Sequence, residues 1–159
     1  MGPASILKYF GCAALAVAAG LFASAGGAVA QEPIKIGLTV TLSPPGSVSQ
    51  GVQVRDGAEV AVKMINDAGG VLGRPLELIV EDTQGIPEKA RAAVEKLITR
   101  DKVIAVTGEH QSSAALAGIE VAHRYNVPYV NTNGWSVVIR EKGYTHVPNP
   151  ANFHSREST

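Results

Sequence analysis

One stretch decides the fold: AEVAVKMINDAGGVLGRPLELIVED, residues 58–82, in which a helical pattern is followed by a strand pattern. A helix is predicted over residues 54–68, and the apolar residues that recur at the spacing of one helix face are Ala58, Ala61, Val62 and Ile65. Gly69 and Gly70 end this helix, because glycine accepts a left-handed cap without a Cβ penalty. The segment PLELIVED (75–82) then has the aliphatic composition of a strand.

The same alternation continues in both directions along the chain. Further strands are predicted at IKIGLTV (34–40), VIAVTGE (103–109) and VPYVNTN (127–133). Two further helices are predicted, one entered through Pro87 and one running from Ser112 or Ser113 to Tyr125. The first of these has an apolar stripe at Ala90, Val94, Leu97 and Ile98. A βαβαβαβ order predicts an α/β fold, a Rossmann-like parallel sheet with helices on both faces.

Charge and composition exclude several classes of function. The chain has 159 residues with 14 basic and 14 acidic side chains, so its formal net charge is zero. This balance gives no electrostatic reason to expect nucleic acid or an anionic membrane as a partner. The first βα loop, PPGSVSQG, lacks the G-x-G-x-x-G phosphate cradle, which argues against a Rossmann-type dinucleotide enzyme. No cofactor is expected.

Residues 1–30 have the pattern of a secretory signal peptide. Lys8 supplies a positive n-region, residues 9–23 are apolar, and Ala28-Val29-Ala30 fits the small-x-small cleavage rule. The apolar core is short of the ~20 residues that a membrane span needs. Cys12 lies at the start of that core, so a lipoprotein site is disfavoured. The expected mature chain is residues 31–159, exported to the periplasm or another extracytoplasmic space.

The segment from Ala58 to Ile98 resembles the periplasmic substrate-binding proteins of branched-chain amino acid ABC transporters, the leucine-binding type. INDAGGVLGRPLEL (65–78) is its most specific part, and the resemblance extends over residues 34–150. The family has two Rossmann-like lobes with the ligand between them, and the chain matches most of the first. The resemblance therefore implies an N-terminal fragment: a lobe over residues 31–150, an irregular tail over 151–159, and no second lobe.

Candidate ligand-binding residues follow the strands, because ligands of open parallel sheets sit outside the carboxyl ends of the strands. Ser112 and Ser113 begin a helix, where unpaired N–H groups and the helix dipole favour an anion. One serine alone would serve as an N-cap, and two allow one to cap and one to face a ligand. The resemblance implies that Ser112, with Ser113 as alternate, meets the α-carboxylate of an amino acid.

Three more residues complete the predicted site. Gln50, in the loop TLSPPGSVSQG (41–51), is placed where that loop would close around a ligand. By alignment on the fourth strand, Asn133 replaces a small residue of the family and Trp135 replaces a threonine. These departures favour a ligand other than plain leucine or valine: aromatic, amide-like or cationic.

Catalysis and metal binding are disfavoured. His110 and Ser112 form no nucleophile elbow, and His110 is expected to line a cleft or lie on the surface. His110 and His123 show no metal-ligand spacing. The favoured function is therefore non-enzymatic: a solute receptor that delivers an amino acid or analogue to ABC permease subunits. The alternatives are an exported sensory ligand-binding domain and a non-functional fragment.

Overall fold

The computed structural model describes residues 31–132, 134 and 136–144. The predicted signal peptide, the predicted tail over 151–159, Asn133 and Trp135 lie outside these residues. None of the helices within the described ranges combines the length and the apolar character needed to span a bilayer.

The described elements follow one another as predicted, with one helix added at the end. In chain order they are β1 (Ile34–Val40), α1 (Val48–Asp67), β2 (Leu76–Asp82), α2 (Pro87–Thr99), β3 (Ala105–Gly108), α3 (Ser112–Arg124), β4 (Tyr129–Asn131) and α4 (Val137–Glu141).

The strands form a parallel sheet in the order β2-β1-β3-β4. The first crossover runs from β1 outward to β2, and the chain then returns past β1 to build β3 and β4 on the other side. This arrangement confirms the predicted α/β class and brings all four carboxyl ends to one edge of the sheet.

Helices cover both faces of the sheet, and β1 shows how they divide. An added Cβ at Gly37 would point at the Leu97 side chain of α2, while the neighbouring Leu38 lines a cavity with α1. Successive strand residues face opposite sides, so α1 lies on one face and α2 on the other. On the α2 face, α3 packs beside α2, and Gly118 approaches both Val94 and Tyr129. The main core lies there, because two helices and the sheet close around it.

The predicted start of the first helix is wrong. α1 begins at Val48 rather than at residue 54, so Gln50 lies on a helix and not in a loop. The segment SVSQG has no apolar period, so periodicity could not reveal this first turn of the helix. The backbone of the turn packs against Thr41, the residue directly after β1. The predicted apolar stripe is only partly buried: Ala58 and Val62 are half-buried, while Ala61 and Ile65 are exposed.

The other boundaries are close to the predictions. α1 ends before Gly69, whose φ of 100° is the left-handed conformation expected of a glycine that stops a helix. The predicted α2 stripe is buried at Ala90, Val94 and Leu97. β4 ends at Asn131, two residues earlier than predicted from the run 127–133, because the Asn131 side chain closes a turn on Gly134.

Candidate ligand-binding edge of the sheet

Two carboxylates tie together the loops that follow β1, β2 and β3. Asp82, the last residue of β2, accepts hydrogen bonds from Leu42 N at 2.8 Å, Ser43 Oγ at 2.5 Å and Gln84 N at 2.9 Å. Burial raises the pKa of Asp82, but the hydrogen bonds from Ser43, Leu42 and Gln84 outweigh it and hold the pKa below its ordinary value. Asp82 therefore orders the loop that follows β1.

Replacing Asp82 with asparagine is expected to lower the free energy of unfolding by about 1.5–3 kcal/mol at pH 7, the range for hydrogen bonds to a charged group. Because the folded pKa lies below the ordinary value of 3.8, the carboxylate stabilises the fold fully above that pH and less as the pH falls through the folded pKa. Urea unfolding of both proteins at pH 7 and pH 3 checks this. A stability difference that does not shrink at pH 3 would contradict it.

Glu109 is the second carboxylate, and it is fully buried directly after β3. It has a φ of 57° and accepts hydrogen bonds from Thr83 Oγ1 at 2.5 Å and from Gln111 N at 3.1 Å. Thr41 Oγ1 lies 3.5 Å from Glu109 Oε1. One side chain therefore joins the ends of β1 and β2 to the start of α3.

The beginning of α3 differs from the prediction that a serine caps it. Gln111 occupies the N-cap position in an extended conformation, and its side chain makes no capping hydrogen bond. With its amide nitrogen facing Gly85, the Gln111 side chain donates to Gly85 O at 3.0 Å and accepts from Ser47 N at 3.2 Å. Gln111 is thus used to hold two loops, which leaves both serines free of the capping role.

The structure places the two serines differently. Ser112 is half-buried, and its Oγ accepts a hydrogen bond from Ser136 N at 3.2 Å, which links α3 to the segment after β4. Ser113 is exposed. The segment after β4 is also held from within, since the Asn131 side chain donates to Gly134 O at 2.8 Å and accepts from Gly134 N at 2.9 Å.

A cavity of about 570 Å³ opens beside this edge, between α1 and the carboxyl ends of β1, β3 and β4. Its polar lining residues are Gln50, Gln53, Thr107, His110 and Thr132. Its apolar lining residues are Leu38, Val54, Gly57, Ala58 and Gly108. Gln50, a predicted ligand-binding residue, therefore lines the cavity, but it lies on α1 and not in the predicted loop. Thr107, Thr132 and Gln53 were not predicted, because their roles depend on how α1 crosses the sheet.

His110 lines the cavity, which agrees with the expectation that it faces a cleft. Only 10% of its side chain is exposed, and neither ring nitrogen has a hydrogen-bond partner among the described residues. Glu109 Oε1 lies 3.8 Å from Nδ1, beyond hydrogen-bond distance. No hydrogen bond joins His110 to Ser112, so the structure shows no serine–histidine pair of the catalytic kind.

A parallel α/β sheet with a cavity at its carboxyl edge defines the class: a Rossmann-like domain with a candidate ligand site where open α/β sheets bind their ligands. The periplasmic binding protein family model matches residues 33–159, and the chain belongs to this family. The predicted resemblance to the branched-chain amino acid type is confirmed.

Individual relatives agree. Leu/Ile/Val-binding protein homolog 4 of Brucella abortus is 39% identical over 123 residues, which cover 76% of this chain and 28% of that protein. Among solved structures, the branched-chain amino acid transporter substrate-binding protein LivJ of Streptococcus pneumoniae, in complex with isoleucine, has a TM-score of 0.68 and 31% identity over 72% of this chain and 32% of its own. A solute-binding protein of an ABC transporter from Rhodopseudomonas palustris, in complex with 3,4-dihydroxybenzoic acid, has a TM-score of 0.65 and 27% sequence identity. This match covers 73% of this chain and 31% of that protein. The chain spans less than a third of the length of each of these three relatives.

Proposed function

We propose that this chain forms a ligand-binding lobe of an extracytoplasmic solute-binding protein that serves an ABC importer. The lobe holds an amino acid or a related small polar solute and does not transform it. Family membership and the names of the relatives support this function. Isoleucine and 3,4-dihydroxybenzoic acid, the ligands of two structural relatives, share a carboxylate and differ elsewhere. A carboxylate is therefore the ligand group that we assign to the start of α3.

The observation that carries this proposal is the hydrogen bonding of Ser112. Its Oγ already accepts from Ser136 N, so its own hydrogen remains to be donated. The N–H groups of Ser112 and Ser113 lie in the first turn of α3, where no intrahelical carbonyl can accept from them. Backbone donors, a hydroxyl donor and the positive end of the helix dipole together favour a carboxylate.

The buried carboxylate of Glu109 does not compete for this position. Glu109 reaches Thr83 and Thr41 on the β1–β2 side of the α3 start, whereas Ser112 contacts Ser136 on the β4 side. The sheet order separates these two sides, since β4 is at the opposite edge from β2. We assign the ligand carboxylate to the β4 side, where Ser112 meets Ser136.

The signal peptide pattern and the family together support export and delivery of the ligand to ABC permease subunits in the membrane. These partners are part of the same proposal. We propose that binding alone, without catalysis, is the lobe's contribution to transport.

Replacing Ser112 with alanine is expected to weaken the binding of a carboxylate-bearing ligand at least about tenfold, because a hydrogen bond to a charged group is lost. Isothermal titration of the purified chain with amino acids measures this. Ser113→Ala is the matched control, since Ser113 is the exposed neighbour in the same helical turn. If only Ser113→Ala weakened binding, the carboxylate would be assigned to the wrong serine; if neither did, the α3 start would not be the site.

A further inference from the structure

We propose that the amino-terminal edge of the sheet carries a second binding site, for a small oxyanion with two negative charges such as a phosphate or a short dicarboxylate. Lys35, Arg74 and Lys102 form this site, which we call the amino-edge site. It lies at the opposite end of the strands from the candidate ligand-binding edge. The inference therefore goes beyond the proposed function and does not rest on it.

The three cations come from the amino ends of three neighbouring strands. Lys35 is the second residue of β1, Arg74 lies two residues before β2, and Lys102 lies three residues before β3. These residues line one cavity of about 400 Å³, a volume within the range of small-molecule sites. The other lining residues are Glu32, Pro33, Ile34 and Ile104.

Backbone hydrogen bonds hold these strand ends together. Ile34 N donates to Pro75 O at 2.8 Å, which joins the start of β1 to the residue that follows Arg74. Ile104 N donates to Lys35 O at 3.0 Å, which joins β1 to the segment that carries Lys102. The cations are therefore brought together by the sheet itself.

The three cations have no neutralising partner in the described part of the chain. Elsewhere in the molecule cations do pair, as Lys96 does with Glu81 at 2.6 Å. Within the described ranges no carboxylate forms an ion pair with any of the three, and Glu77, opposite Lys35 in the β1–β2 register, does not either. Glu32 is the one acid among the described lining residues, so three positive charges face one negative charge.

Arg74 is fixed in position by the backbone around it. Its Nε donates to Glu32 O at 2.8 Å, and its Nη2 donates to Pro33 O at 3.4 Å. Both acceptors are carbonyl oxygens, so they orient the guanidinium without cancelling its charge, and three of its five N–H donors remain. A planar guanidinium binds the oxygens of a phosphate or a carboxylate in pairs. Arg74 therefore offers the cavity an oriented set of donors.

Both lysines occupy positions that folding alone would fill with another residue. Lys35 is half-buried in β1, an inner strand of the sheet, where an uncharged β-former would avoid the cost of desolvating an ammonium group. Lys102 has a φ of 61°, the left-handed conformation that glycine and asparagine adopt more readily. Strained residues of this kind cluster at functional sites. The charge of the two lysines, and not their conformation, explains their presence.

The chemistry of the lining favours a small dianion. A single negative charge would leave cations that still repel one another, whereas two negative charges can meet Arg74 and both lysines. Ile34 and Ile104 add apolar surface, which suits an oxyanion attached to a short carbon chain. Phosphate and dicarboxylate groups share the required charge, and titration with one anion of each kind distinguishes them.

Isothermal titration of the full chain with sodium phosphate and with sodium succinate tests this inference, at a constant ionic strength set with sodium chloride. At least one of the two anions is expected to bind with a Kd below about 1 mM, and more tightly at low salt. Lys102→Asn is expected to weaken this binding at least about fivefold. Because asparagine accepts the left-handed conformation, the melting temperature of Lys102→Asn in chloride should be unchanged or higher. Weaker binding by a protein that is no less stable cannot result from unfolding.

Two further variants sharpen the test. Lys63→Gln combined with Lys89→Gln is the matched control, since it removes two positive charges from α1 and α2 and none from the cavity lining. It is expected to leave anion binding unchanged, whereas Lys35→Gln combined with Lys102→Asn should abolish it. Glu32→Gln is expected to tighten binding about two- to fivefold, because it removes the negative charge of the lining.

Three results would overturn the inference: binding of neither anion, an equal loss of binding in the control variant, or a loss caused by Ser112→Ala and not by Lys102→Asn. The last result would place the anion at the start of α3. Amino-acid binding measured on the same proteins keeps the proposed function separate. Anion binding that depends on Lys102, in a chain that binds no amino acid, would support the amino-edge site and count against the proposed function alone.

Discussion

Gly51→Ala is expected to lower the free energy of unfolding by at least about 3 kcal/mol, the largest effect of any single methyl group that we predict. A Cβ built on Gly51 would lie 1.7 Å from the carbonyl oxygen of Thr41 and 2.6 Å from its carbonyl carbon. Both are backbone atoms of the residue that directly follows β1, so no side chain can turn away to relieve the clash. The first turn of α1 would have to leave the sheet edge, taking Gln50 out of the cavity lining.

Gly57→Ala provides the matched control. Gly57 lies in the same helix, and a Cβ there would meet nothing within 4 Å. Alanine should therefore show only its helix preference over glycine and stabilise the protein by about 0.5–1 kcal/mol. Urea unfolding followed by far-ultraviolet circular dichroism measures both variants. Equal stability changes in the two would contradict the close packing of α1 on the Thr41 backbone.

The regular parts of this fold were predictable because their signals are local. The period of α2 predicted its buried residues, and the glycine pair after α1 predicted where that helix ends. The start of α1 was not predictable in the same way. It depends on a backbone contact between Gly51 and Thr41, ten positions apart in sequence, and no apolar period marks such a contact.

The same distinction applies to the candidate site. The order of the elements predicted a candidate site at strand ends and a helix start, and the cavity lies at that edge of the sheet. The contacts of each side chain were not predictable. Gln111 rather than a serine occupies the N-cap, and the buried Glu109 accepts a hydrogen bond from Thr83, which follows a different strand. The sequence TGEH places Glu109 directly after a predicted strand, and this position was the only local indication of a role for Glu109. Its partners Thr41 and Thr83 are distant in sequence, so the pattern could not predict them.

Glu109→Ala is expected to lower the free energy of unfolding by about 3–5 kcal/mol. The carboxylate is fully buried and accepts from the Thr83 hydroxyl and the Gln111 N–H. Alanine would leave these two donors without their acceptor, at about 1–3 kcal/mol each, and would leave a space where the side chain was. The loop that carries His110 and Gln111 would lose its attachment to the ends of β1 and β2, so ligand binding is expected to weaken together with stability.

Glu77→Ala distinguishes this effect from the loss of any negative charge. Glu77 is an exposed residue of β2, and its replacement should change the free energy of unfolding by no more than about 0.5 kcal/mol. Glu109→Gln should lie between the two variants, because a carboxamide keeps the size of the side chain and one acceptor oxygen while replacing the other with a donor. A Glu109→Ala protein within about 1 kcal/mol of the parent would mean that Thr83 and Gln111 find other partners. The three loops at this edge would then be held by Asp82 and by the Gln111 side chain, and the buried carboxylate would have to be explained by something other than the ordering of the site.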